Sequence, residues 1–99
     1  MKKQYKFYVY IITNYTKTVL YVGMTNNLSR RLYQHQNHVY AGAFSARYKC
    51  YYLVYYEEYQ YVKTAIARET EIKGWRREKK DNLIKTLNPE WQFLNEDFE

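Results

Sequence analysis

Two β-branched, tyrosine-rich segments, Tyr5 to Ile12 and Val19 to Gly23, stand only a short polar stretch apart. That spacing constrains the fold more than any other feature. Parallel strands need a crossover of about a dozen or more residues, whereas antiparallel strands close through a short loop. Thr13 to Thr18, rich in Thr and Asn, supplies such a turn. The two segments therefore form an antiparallel hairpin. Phe7, Val9 and Ile11 share one face of its first strand, and Tyr8, Tyr10 and Ile12 share the other. Gly23 ends the returning strand and lets the backbone bend or approach something closely.

Beyond the hairpin, Thr25, Asn26 or Asn27 can cap a helix that begins near Leu28. Helical spacing stacks Leu28 and Leu32, and it places Arg31 and His35 on the same stripe with Arg30 opposite. His38 to Lys49, which contains Gly42, has no clean period and reads as a loop with room for a short helical turn. Tyr51 to Glu57 is a third strand, apolar on both faces, as a central or well-covered strand would be. Tyr61 to Trp75 is a second helix with the stripe Val62, Ala65, Ile66, Glu69 and Ile72. Arg76 to Leu87 is a third helix, or the second continued past Gly74, and Pro89 stops it. Trp91, Phe93 and Leu94 are placed to pin the tail, with Asn95 to Glu99 loose.

Ninety-nine residues suit one small domain, residues 1–99, whose last ten form an acidic tail. Fourteen tyrosines fit a sheet with wet strand faces, and they equally suit a surface that stacks on bases. Four of the ten acids (Glu90, Glu96, Asp97 and Glu99) lie in that tail. Residues 1–89 thus set sixteen basic side chains against six acidic ones, a balance that favours a polyanionic partner such as nucleic acid. Cys50 stands alone, which excludes an intramolecular disulfide and fits a reducing compartment. Lys2 and Lys3 precede an apolar run, but Lys6 interrupts it and no cleavage site follows. No segment is long enough to span a membrane. The expectation is a soluble cytoplasmic protein.

Glu69 in mid-stripe breaks the helical pattern. A carboxylate drawn into a core must be paired, protonated or bound to a metal. Two readings stay open: an ion pair with Arg31 or Lys73, or a cation ligand at a pocket floor. Arg31 and His35 repeat the anomaly on another helix, and arginine is well shaped to grip a phosphate. His35 alone would more simply be a satisfied core histidine. Two helices turning ionisable groups towards one hairpin, which carries Tyr10 and Tyr21, suggest a shared site. A tyrosine, an arginine and a metal-binding carboxylate together serve phosphodiester hydrolysis. No Walker loop, dinucleotide fingerprint or zinc-ligand spacing is present. Cys50 reads as a buried structural thiol.

At these residues the chain resembles the GIY-YIG endonuclease superfamily. More closely, it is similar to its small stand-alone bacterial proteins, which resemble the N-terminal nuclease domain of the excinuclease C subunit. The matching pieces are YVY at 8–10, YVG at 21–23, Thr25, Leu28, Arg31 and His35, then ARETEIKGWRREKK at 67–80 and LNPEW at 87–91. The resemblance implies an α+β fold, a three-stranded antiparallel sheet flanked by helices. It also implies a metal-dependent DNA endonuclease acting in DNA repair or processing, with one Mg2+ (or Mn2+) as cofactor. Carried over by position, Tyr10 and Tyr21 are the paired motif tyrosines, Arg31 contacts the scissile phosphate, His35 holds a His-or-Tyr position and Glu69 is the metal ligand. A late asparagine joins the site in some members; Asn82 or Asn88 would take that place here. Tyr8 replaces the first motif glycine, Val9 and Val22 replace isoleucines, and Met24 stands where some members have lysine. Lys73, Arg76, Arg77, Lys79 and Lys80, with Arg47 and Lys49, would hold a DNA backbone by sequence-independent contacts, and RNA is a second possible substrate. With no separate DNA-binding domain expected, the resemblance implies cleavage that is weak, non-specific, or dependent on a complex in which a protein partner supplies specificity. The rival readings are a non-catalytic nucleic-acid-binding module of the same fold and a partner-binding protein whose inward charges are ion pairs.

Overall fold

Phe7–Thr13 (β1), Leu20–Thr25 (β2) and Tyr52–Tyr59 (β3) form an antiparallel sheet in the order β2-β1-β3 in the computed structural model. Residues 6–37 and 47–98 are described. Tyr5, the 38–46 part of the expected loop with its Gly42, and Glu99 lie outside them. The hairpin β1–β2 forms as its spacing requires. Asn14 organises the turn by accepting the Thr18 and Val19 amides at 2.9 and 3.0 Å.

β1 is the central strand, so of the two alternatives for Tyr51 to Glu57, central or well covered, the second holds. β3 is an edge strand that is apolar on both faces because both faces of the sheet are covered. Its pairing with β1 slips between Ile11 and Ile12: Ile11 faces Tyr55 and Ile12 faces Leu53, leaving Val54 as the extra residue of a bulge. Beyond the bulge, Tyr55, Glu57 and Tyr59 lie opposite Ile11, Val9 and Phe7, all on one face.

That face packs Val9, Ile11 and Val22 against Ala65, Ile72 and Ile84, from the helices Val62–Lys73 (α2) and Arg77–Leu87 (α3). The opposite face packs Tyr10, Ile12 and Leu53 against Leu28 and Leu32 of Leu28–Gln36 (α1), with the Cys50 thiol buried among them. The α1 cap is Asn27, whose side chain accepts the Arg30 amide at 3.0 Å. Gly74 ends α2, and Arg76 stands extended before α3, so the two are separate helices.

The α2 stripe is narrower than its sequence pattern suggested. Ala65 and Ile72 are buried, but Val62 and Ile66 stay 41% and 46% exposed. Arg68 turns inward instead and meets Glu57 with Nε at 2.9 Å and NH2 at 3.0 Å. Glu57 also accepts the Tyr55 and Tyr59 hydroxyls at 2.5 and 2.6 Å. Burial alone would raise this carboxyl, yet these bonds hold it below its usual range.

The C-terminal segment is docked, contrary to the expectation of a loose end. Leu94 N–H bonds the Leu53 carbonyl at 2.8 Å. The Asn95 side chain accepts the Leu53 amide and donates to the Tyr51 carbonyl, both at 2.8 Å. Asn95–Phe98 forms a 3-10 turn, and Phe98 meets Tyr8 and Tyr56 edge-on at 6.0 and 4.9 Å.

Candidate active site

The site is built on one cross-strand pair. Tyr10 of β1 faces Gly23 of β2. A Cβ at Gly23 would fall on the Tyr10 hydroxyl and Cζ and reach Cε1 at 3.0 Å, so only glycine lets the phenol lie across the neighbouring strand. There the Tyr10 hydroxyl meets His35 Nε2 at 2.9 Å. The Asn27 cap sets the phase of α1, so Leu28, Leu32 and His35 all face the sheet.

Tyr21 completes an aromatic triangle. Its ring centroid lies 6.4 Å from Tyr10 and 5.4 Å from His35, while Tyr10 and His35 are 5.8 Å apart. Tyr10 is 1% exposed and His35 is 6% exposed, whereas Tyr21 is only half-buried. Of the two tyrosines, Tyr21 is the one a substrate or water can reach.

Electrostatics tie the two charged candidates to this triangle. Burial pushes the Tyr10 phenol well above its ordinary value, with Tyr21 and Glu69 adding to the rise and Arg31 opposing it. Burial, and then Arg31, push the His35 imidazole down to about 4. His35 is therefore neutral at pH 7, and its Nε2 shares a hydrogen bond with the protonated Tyr10 hydroxyl, the tautomer setting which of the two donates. Arg31 is half-buried one helical turn before His35. Glu69 is 20% exposed at its side chain and pairs with Lys73 at 3.4 Å across one turn. Such i,i+4 pairs contribute only about 0.3–0.5 kcal/mol, so this one leaves the carboxylate open to exchange.

The basic candidates divide. Arg47, Lys49, Lys73, Arg76 and Lys79 are exposed, and Lys80 is half-buried. Lys79 Nζ sits 4.2 Å from the Trp75 ring centroid. Arg77 is exposed but engaged: it donates to Asp81 at 2.7 Å, to the Thr18 carbonyl at 2.9 Å and to the Lys17 carbonyl at 2.8 Å. It clips α3 to the hairpin turn. Asn88 is buried, and its amide donates to the Val54 carbonyl at 3.0 Å and to Gln92 at 2.8 Å. The structure uses it to hold the bulge, whereas Asn82 stands exposed on α3.

Two groupings escaped the sequence reading. One is the Glu57–Arg68 centre, whose signal was the alternation Tyr55, Glu57, Tyr59 on one strand face. The other is an aromatic cluster of Tyr15, Tyr51, Tyr52 and Phe93 at the turn end of the sheet. Its members come from three separate segments, so no local pattern announces it.

The structure is similar to the solution NMR structure of the UPF0213 protein BH0048 from Bacillus halodurans, with 26% identity, a TM-score of 0.55, and coverage of 87% of this chain and 89% of that one. No curated protein sequence matches the chain significantly. The sequence pattern described as the GIY-YIG catalytic domain matches residues 6–82 and so takes in the triangle, Arg31 and Glu69. The chain belongs to the GIY-YIG family of nuclease domains.

Proposed function

We propose that this chain, acting through residues 1–99 as one nuclease domain, is a divalent-metal-dependent DNA endonuclease that hydrolyses phosphodiester bonds in repair or processing. One observation carries the reading most: a buried Tyr10–His35 hydrogen bond beneath the half-buried Tyr21, with the charges of Arg31 and Glu69 near enough to act on Tyr10. Membership of a nuclease family supports it and makes nucleic acid the substrate class.

Glu69 would hold the metal. Among the described residues no three His, Cys, Asp or Glu side chains converge on one point. A lone hard carboxylate fits Mg2+, which keeps several waters and binds through one or two carboxylates plus substrate phosphate oxygens. When bound, the ion neutralises phosphate charge and acidifies water. The chain's own groups do the rest. Arg31 offers a fork of donors to the phosphate and to the charge that builds on it. Tyr21 orients the attacking water. The neutral His35 and protonated Tyr10 pack their rings against Tyr21 and hold it in place.

The test compares wild type with Glu69→Ala on supercoiled, branched and single-stranded DNA, and on RNA, with Mg2+, Mn2+ or chelator. Metal-dependent nicking by wild type that disappears in the variant is the expected result. Equal cleavage by both proteins would remove Glu69 from the site. The Glu69–Lys73 pair favours a second reading, a binding module without catalysis. It is adopted if DNA binds, nothing is cut, and Mg2+ fails to raise the melting temperature as a folded-state ligand must.

A further inference from the structure

At the turn end of the sheet, rings from three separate segments meet. Tyr52 stacks on Phe93 at 4.3 Å, Tyr51 lies 4.6 Å from Tyr52, and Tyr15 stands 5.9 Å from Tyr52 and 6.1 Å from Phe93. This is not a core: Tyr15 is 73% exposed and the adjacent Tyr48 is 41% exposed. Two clefts of about 220 and 330 Å³ share Tyr51 and Tyr52 as a wall. The smaller lies below the roughly 300–1,000 Å³ of small-molecule sites and suits an inserted planar ring better than a cofactor.

Cations surround the rings. Lys17 Nζ lies 5.3 Å from the Phe93 centroid, the Arg47 guanidinium lies 5.5 Å from Tyr48, and Lys49 lines the smaller cleft. The backbone is unusual at the same place. Among the described residues, positive φ outside glycine occurs at Lys17 (60°), Lys49 (57°) and Trp91 (52°). Lys17 and Lys49 flank the aromatic cluster, and Trp91 carries the Arg77 guanidinium at 5.9 Å, the group that clips the Lys17 turn. Left-handed backbone at non-glycine residues costs free energy and gathers where function requires a fixed shape.

We propose that this surface binds the unpaired bases of a nucleic-acid strand, Tyr15 and Tyr48 stacking on bases while Lys17, Arg47 and Lys49 meet phosphates. The choice of nucleic acid as occupant rests on the nuclease reading above. Exposed aromatic rings interleaved with cations match a chain of flat bases on a charged backbone, and such stacking tolerates any base. Tyr52 lies opposite Thr13, three residues along β1 from Tyr10. That is about 10 Å of strand, which a few nucleotides cross. The Glu96 carboxylate borders the larger cleft, so the strand enters through the smaller one.

The experiment measures anisotropy of a labelled oligothymidylate, an abasic strand of equal length and a hairpin duplex, all in chelator so that nothing is cut. Wild type should bind the oligothymidylate more tightly than the abasic strand or the duplex. Tyr15→Ala should weaken oligothymidylate binding roughly tenfold and leave the abasic strand unaffected, while Tyr15→Phe retains wild-type binding. Tyr15 is exposed enough that the fold should survive, which a thermal melt checks. Equal affinity of wild type for base-bearing and abasic strands would overturn the proposal. So would wild-type affinity in both Tyr15→Ala and Tyr48→Ala. A protein that binds as described but cuts nothing keeps this site and discards the nuclease. One that cuts DNA but ignores the tyrosines does the reverse.

Discussion

His35 is held neutral by burial and by Arg31, and that has a measurable consequence for stability. The unfolded chain takes up a proton on this imidazole near pH 6.5, the folded one only near pH 4. Between those values the unfolded state binds more protons, so stability is intact above pH 6.5 and is lost as pH falls towards 4. At 1.36 kcal/mol per unit the loss is up to about 3 kcal/mol. Urea unfolding at pH 7 and pH 4.5 should show wild type losing markedly more stability than His35→Gln; equal losses would rule out a buried neutral histidine. This residue was legible in the sequence, as were Arg31 and Glu69, because helical spacing reveals a polar group on an apolar stripe. Tyr10 could be seen as a strand residue, but its bond to His35 spans twenty-five positions and two elements, and no periodicity encodes such a distance. Its dependence on the glycine opposite follows from strand register, which a sequence leaves unassigned.

The start of α1 and the hairpin could be read from a cap, turn residues and spacing, which are local. What could not be read depends on tertiary competition. Arg68 reaches Glu57 and turns α2 so that Val62 and Ile66 face outward, overriding a pattern that hydrophobicity alone would have buried. The bulge in β3 is likewise invisible until its partner is known, and Asn88 is the residue that holds it. Removing that amide takes a donor away from the buried Val54 carbonyl and releases the Gln92 turn. Asn88→Ala should therefore lower unfolding free energy by about 1–3 kcal/mol, while the exposed Asn82→Ala should stay within about 0.5 kcal/mol of wild type. Denaturant titration of both variants checks this. Equal effects would mean that the bulge needs no side-chain support.

For the molecule as a whole, basic surface is distributed unevenly between binding and architecture. Arg76 and Lys79 are exposed on the α3 side, whereas Arg77 spends its donors on the hairpin turn and Asp81. Duplex affinity should fall with salt at a log–log slope of about −3 to −4 if about four phosphates are met. Arg76→Ala and Lys79→Ala should each flatten that slope by about 1, and Arg77→Ala should leave it unchanged while lowering the melting temperature. A flat salt response in wild type would dispose of the basic face. Among the described residues no helix is long and apolar enough to cross a membrane. The segment at Leu94 and Asn95 has a consequence at this scale too. β3 would otherwise present unsatisfied amides and carbonyls to any passing extended chain. By satisfying the Leu53 amide and carbonyl, these two residues close a template for strand addition.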